Sequence, residues 1–242
     1  MKSLNKIFIN VFEPVLIQRG FKRKRSAFCR LVNEQIVQLF TIKKYSGDSF
    51  TMQYLIMPAC SGEIVEYPVD ENRIGDLIGN EGALEWEIDD NVEDSMRDAL
   101  EKCEKYLFTW FDYICDYKTY YDFALEKHRK NIESMGNIIT RCEPWVFRAP
   151  RAVGFYEICL YLKDYENAIA WLEMWKGSAE SSYKKRTEDE IERKNMLAKK
   201  IEMHNMKIRE TENFRDNITS PDEMLKEKEC ITLDSYYKVF GK

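Results

Sequence analysis

A chain of 242 residues that is 44% hydrophobic and 13% aromatic can bury a real core, which excludes a disordered polymer. With 33% charged side chains and a formal net charge of −5, it reads as a soluble protein without whole-molecule attraction to nucleic acid. Seven scattered cysteines, no Cys-x-x-Cys and two histidines, His128 and His204, speak for a reduced, cytoplasmic protein rather than a disulfide scaffold.

The first residues, MKSLNKIFINVFEPVL, lack the long apolar region and cleavage site of a signal peptide. No apolar run is long enough to span a membrane. Residues 3–19 place Leu4, Ile7, Phe8, Val11, Phe12 and Val15 at spacings of three and four, the stripe of an amphipathic helix. Pro14 removes one backbone donor near its end, and Gly20 is its natural stop.

Residues 20–57 read as three strands joined by two tight turns, entered through Lys22-Arg23-Lys24-Arg25. Ala27, Cys29 and Leu31 alternate with Phe28, Arg30 and Val32. Asn33-Glu34 makes a hairpin turn without the favoured glycine. Residues 36–42 are apolar on both faces, as in a central strand. Ser46-Gly47-Asp48 turns the chain again, and Phe50, Met52, Tyr54 and Ile56 alternate up to Pro58. An antiparallel meander packed on the first helix follows. Beyond it, residues 62–67 and 84–88 read as short edge strands among glycine-marked loops.

From Val92 a helix carries Met96, Leu100, Cys103, Leu107, Trp110, Ile114 and Tyr117 on one stripe, and a second helix is expected over 120–139. Residues 152–162 and 168–175 form a helical hairpin, turned at Lys163-Asp164-Tyr165. Its stretch YLKDYENAIAWL is similar to a single tetratricopeptide unit, where a solenoid needs about three. Gly177-Ser178 separates this pair from a long charged helix opened by the capping-box pattern Thr187-x-x-Glu190. That helix has the narrow seam Ile191, Leu197, Ile201 and Ile208, either packed on the domain or open to a partner. Ser220-Pro221 opens a last helix, and Tyr236, Tyr237, Val239 and Phe240 offer a terminal apolar patch. The fold class is α+β: an N-terminal helix, a small antiparallel sheet covered by helices, and an all-helical C-terminal part. The division expected is an α+β domain over 1–141 and a helical extension over 142–242.

The opening helix with Pro14 near its end, then GFKRKRSAFCR, then FTMQYLI, resembles the bacterial family known as domain of unknown function 4304. Gly20-Phe21-Lys22, Phe28, Arg30 and Phe50-Thr51 carry the likeness over residues 1–125. Met52-Gln53-Tyr54 departs from that family's small, Asn-containing run. The family has no established activity to carry over. Some relatives look like immunity proteins that neutralise a cognate toxin, so the resemblance implies protein binding.

No motif for chemistry is found. There is no GxxxxGK[ST], no strand-borne GxGxxG and no GxSxG. Neither histidine has a ligand at metal spacing, and His128 reads as a helix-surface residue. Glu85, Glu87, Asp89 and Asp90 lack the glycine and spacing of a calcium loop. No catalytic residue, metal or cofactor is therefore assigned, and no enzyme is expected.

Charge is unevenly placed. Residues 19–44 hold eight basic side chains and one acidic, a net of +7, and residues 61–104 hold fifteen acidic and three basic, a net of −12. The simplest expectation is that the two stretches face each other or share a surface. The function expected is non-enzymatic protein binding, of the immunity type that neutralises a toxin domain. Its contact surfaces would be residues 81–98, led by Glu85, Glu87, Asp89, Asp90 and Asp94, and the long charged helix. The alternative is nucleic-acid binding through residues 19–44, with Lys22, Arg23, Lys24 and Arg25 on the phosphates.

Overall fold

The first helix, α1 (Leu4–Gln18), begins at Ser3, whose hydroxyl accepts the Lys6 N–H at 3.4 Å. It runs through Pro14, where the lost donor falls close to the end, and stops at Gly20 with φ +81°. The computed structural model describes residues 3–45, 47–61, 72–77, 84–123, 153–187, 189–227 and 236–238. They divide into two units, Met1–Tyr120 with Cys230–Lys242, and Tyr121–Glu229. The boundary expected at 141/142 lies outside the described residues.

In the first unit, β1 (Lys22–Lys24), β2 (Ala27–Val32), β3 (Ile36–Lys44) and β4 (Ser49–Pro58) form an antiparallel meander. The basic entry is itself a strand, closed by a turn in which Arg25 takes φ +57°. Two short strands, β5 (Asn72–Arg73) and β6 (Trp86–Glu87), pair with the outer side of β4 and complete a six-stranded sheet. β6 falls within the expected 84–88, whereas 62–67 lies outside the described residues. A short helix, α2 (Ile74–Leu77), follows β5 directly.

Phe28, Phe40 and Tyr54 are cross-strand neighbours on one sheet face, and Cys29, Leu39 and Leu55 on the other. The first face receives Phe8 and Phe12 of α1 against Phe40, at centroid distances of 5.9 and 5.2 Å. Phe108 meets the same ring edge-on at 5.6 Å. Such aromatic groupings dominate core energetics through the area they bury. The second face, with Val37 and Met57, packs against Tyr236 from the chain's far end. The Tyr236 hydroxyl donates to the Cys29 carbonyl at 2.8 Å.

The helix from Val92 starts where the sequence places it but is not uniform. α3 (Val92–Lys102) passes into a π-helical stretch, Cys103–Phe108, and then α4 (Thr109–Tyr113). The wider turn shifts the buried face, so that Phe108 and Phe111 enter the core beside Leu107 while Trp110 is only partly covered. Thr109 helps to occupy the carbonyls of Glu104 and Lys105, each at 3.3 Å. Buried Gln38 closes the helix end by donating to the carbonyls of Phe111 (2.6 Å) and Ile114 (2.9 Å). Gln35 accepts the Tyr117 N–H at 2.9 Å, opening α5, which is described over residues 117–123.

The second unit is helical: α6 (Val153–Tyr161), α7 (Tyr165–Lys184), α8 (Ile191–Arg215) and α9 (Asp222–Glu227). Asp164 caps α7 by accepting the Asn167 N–H at 3.3 Å. α7 does not stop at Gly177-Ser178 as expected; it continues to Lys184. A mid-helix glycine costs about 1 kcal/mol, and the burial of Ala179 beyond it offsets that cost. α8 runs antiparallel along α7, with Tyr165 near Phe214, Trp175 near His204 and Lys194 over Tyr183. Its buried stripe is His204, Ile208, Thr211 and Phe214, while Ile191 is exposed. Glu190 accepts the Thr187 N–H at 3.3 Å, one half of the capping box, yet the helix opens only at Ile191.

Candidate functional site

The acidic candidates share one edge of the sheet. β6 lies along the start of β4, with Ser49 opposite Glu87 and Phe50 opposite Trp86. The Phe50 and Trp86 rings stack at 5.7 Å. The Thr51 hydroxyl donates to the Leu84 carbonyl at 2.7 Å, and the Ile88 N–H to the Asp48 carbonyl at 2.7 Å. Trp86 Nε1 donates to Asp98 on α3 at 2.7 Å, and Lys102 bonds the same carboxylate. These contacts from Lys102 and Trp86 hold the Asp98 carboxyl below the usual carboxylate range. A buried tryptophan thus fastens the segment at both ends.

The carboxylates of Glu85, Glu87, Asp89, Asp90 and Asp94 all lie exposed along that fastened segment. Ser49 donates to Glu85 at 2.7 Å, and Asp89 accepts the Asn91 N–H at 2.8 Å, turning the chain into α3. Among the described residues, Glu87, Asp90 and Asp94 make no side-chain ion pair or hydrogen bond. The first turn of α3 adds Glu93, and its amide dipoles favour this negative charge.

The basic candidates occupy the opposite edge. Lys22, Arg23 and Lys24 form β1, and four strand spacings separate it from β6, on the order of 19 Å at about 4.8 Å each. Among the described residues, Lys22–Lys24 and the segment Glu85–Asp94 therefore do not face each other. Arg23 bonds Glu13 of α1 at 2.6 Å and donates to the Arg25 carbonyl at 3.1 Å. Lys22 lies over the Tyr237 ring at 4.5 Å. Arg19 and Arg30 both bond Asp112, each at 2.8 Å, and Arg30 also donates to Gln38 at 2.6 Å. The ion pairs of Arg19, Arg23 and Arg30 run to Glu13 or Asp112.

Glu13, Asp112 and Gln38 were not singled out in the sequence. The only signal available was a polar Gln38 within an apolar central strand.

Chemistry elsewhere is muted. Burial pushes the thiols of Cys29, Cys103 and Cys159 up, the last to about 12, which keeps them protonated. Among the described residues no group of three or more His, Cys, Asp or Glu could hold a metal ion. No helix among them is long and apolar enough to cross a membrane. His128 lies outside the described residues. Searches with the whole chain find no matching family model, curated protein or solved structure.

Proposed function

We propose that the chain is a non-enzymatic protein-binding domain whose β6–α3 edge receives a basic protein partner, as an immunity-type protein receives a toxin domain. One observation carries this reading. Glu87, Asp90 and Asp94 lie on a hydrogen-bonded edge without described partners, while Arg19, Arg23 and Arg30 at the other edge are already paired. An uncommitted, pre-positioned field of one sign steers a partner of the other sign and speeds its association. Fastening by Trp86 lowers the ordering cost on binding.

The alternative, nucleic-acid binding through Lys22, Arg23, Lys24 and Arg25, would need Arg23 to give up Glu13. Phosphate contacts would also compete with the Tyr237 ring for Lys22.

Co-expression with the product of the adjacent gene, followed by size-exclusion chromatography, tests the reading. Co-migration is expected, lost in a Glu87→Lys, Asp90→Lys, Asp94→Lys triple variant. Absence of any co-migrating neighbour, or a complex indifferent to the triple variant, rejects it. Retention on heparin that vanishes when Lys22, Arg23, Lys24 and Arg25 become glutamine would favour the nucleic-acid reading instead.

A further inference from the structure

His204 lies on the stripe of α8 that meets α7, 4% exposed, and neither ring nitrogen has a hydrogen-bond partner among the described residues. Most buried polar side chains are satisfied, so an imidazole packed without partners calls for a reason. From α7 the facing group is the Trp175 ring, its centroid 6.2 Å away. The charged neighbours of that tryptophan on α7, Glu173 and Lys176, bond each other at 2.9 Å, and Glu180 acts on Lys176. On α8 itself, Lys200 and Lys207 both oppose a positive charge on the ring. α6 contributes Tyr156, which meets Thr211 and lies under Lys207, and the buried carboxylate of Glu157, which acts on Tyr156. Nothing in this set offers a protonated ring an acceptor.

We propose that His204 is an acid-sensitive latch of the α7–α8 hairpin: neutral, it fills the interface beside Trp175; protonated, it leaves, and the middle of α8 separates from α7. Burial first, and then the two lysines, lower the proton affinity of the ring. The closed hairpin therefore binds fewer protons than the open one. Its stability is complete above the ordinary histidine pKa of about 6.5 and falls as pH drops below that value. Ordinary carboxylates stay ionised down to about pH 5, so the first response to acid belongs to the histidines. Opening would add apolar surface to Met196, Met203 and Met206, which already stand exposed on α8.

Hydrogen exchange of the full chain at pH 7.5 and 5.5, corrected for intrinsic exchange, reads the opening directly. Amides over 198–211 should lose protection severalfold at the lower pH while those of β3 keep theirs, and His204→Phe should abolish the difference. Equal protection at both pH values, or a loss that survives in His204→Phe, overturns the proposal. If the phenylalanine variant fails to fold, His204→Gln replaces it with the same expectation. If neither folds, His128→Gln decides, because the chain has two histidines. An acid response unchanged in that variant leaves His204 as the titrating group, and a vanished response overturns the proposal.

Discussion

At the β1 edge of the sheet, arginines reach inward to Glu13, Asp112 and Gln38, and a lysine lies on the Tyr237 ring. At the β6 edge, a tryptophan and one aspartate reach inward, while Glu87, Asp90 and Asp94 make no described side-chain bond. One set of charges is spent on holding α1, the helix end and the sheet together. The other is carried on a scaffold that uses only Glu85 and Asp89 of its candidate carboxylates. Net charge by stretch, +7 against −12, ranks the two edges as similar; their hydrogen-bond partners rank them as opposites. A charged segment declares a function only after its internal partners are subtracted.

The strongest way to break this contrast is Asp112→Ala. It removes one of three acceptors from Arg30, whose side chain is only 14% exposed, and the carboxylate partner of Arg19, and should cost about 1–1.5 kcal/mol in urea unfolding. A loss below about 0.5 kcal/mol would mean the arginine network is decoration.

Next comes Asp98→Asn, which removes a charge from the fastening of Trp86. With a half-exposed side chain it should cost on the order of 0.5–1 kcal/mol at neutral pH. Because the folded carboxyl is depressed, its stabilisation is full above the ordinary aspartate value and lost as pH falls below it. Tryptophan fluorescence during acid titration should show that step blunted in the variant.

A smaller effect, about 0.5 kcal/mol, is expected for Arg23→Gln, since the pair with Glu13 is about one-third exposed on each side. The smallest belongs to the triple variant Glu87→Lys, Asp90→Lys, Asp94→Lys, whose unfolding free energy should stay within about 0.5 kcal/mol per substitution. A large destabilisation there would show that the acidic edge is structural after all, and the contrast would collapse.

Much of the fold was legible because side-chain period is a local property. Phe28, Phe40 and Phe50 alternate with their neighbours as strand residues must, and Phe8 and Phe12 recur as helix residues must. Gly20 marked the end of α1, and the residues around Trp86 showed as a short strand. Other features escaped for reasons equally physical. Lys22–Lys24 looked like a charged entry because a three-residue edge strand has no apolar pattern to show. Asn33 and Glu34 both take positive φ without glycine, held partly by an Asn33 bond to the Cys115 carbonyl that no local rule foresees. The π turn at Cys103–Phe108 changes the helical period, so extrapolating the stripe put Trp110 where Phe111 belongs.

Of the candidate site, the clustering of Glu85 through Asp94 could be read directly, since these residues are neighbours in the chain. Which of them remain uncommitted could not, because a partner such as Ser49, which bonds Glu85, comes from another element. By itself, then, the sequence determined the α+β class, the meander, the start of the long helix and the sign of each charged stretch. All of these follow from local periodicity and composition. Tertiary structure alone decided that Lys22–Lys24 and Glu85–Asp94 occupy opposite edges, that Tyr236 seats on the sheet's second face, and that buried His204 has no hydrogen-bond partner among the described residues. Those facts depend on strand order and on contacts between distant residues, and neither leaves a mark on the local pattern.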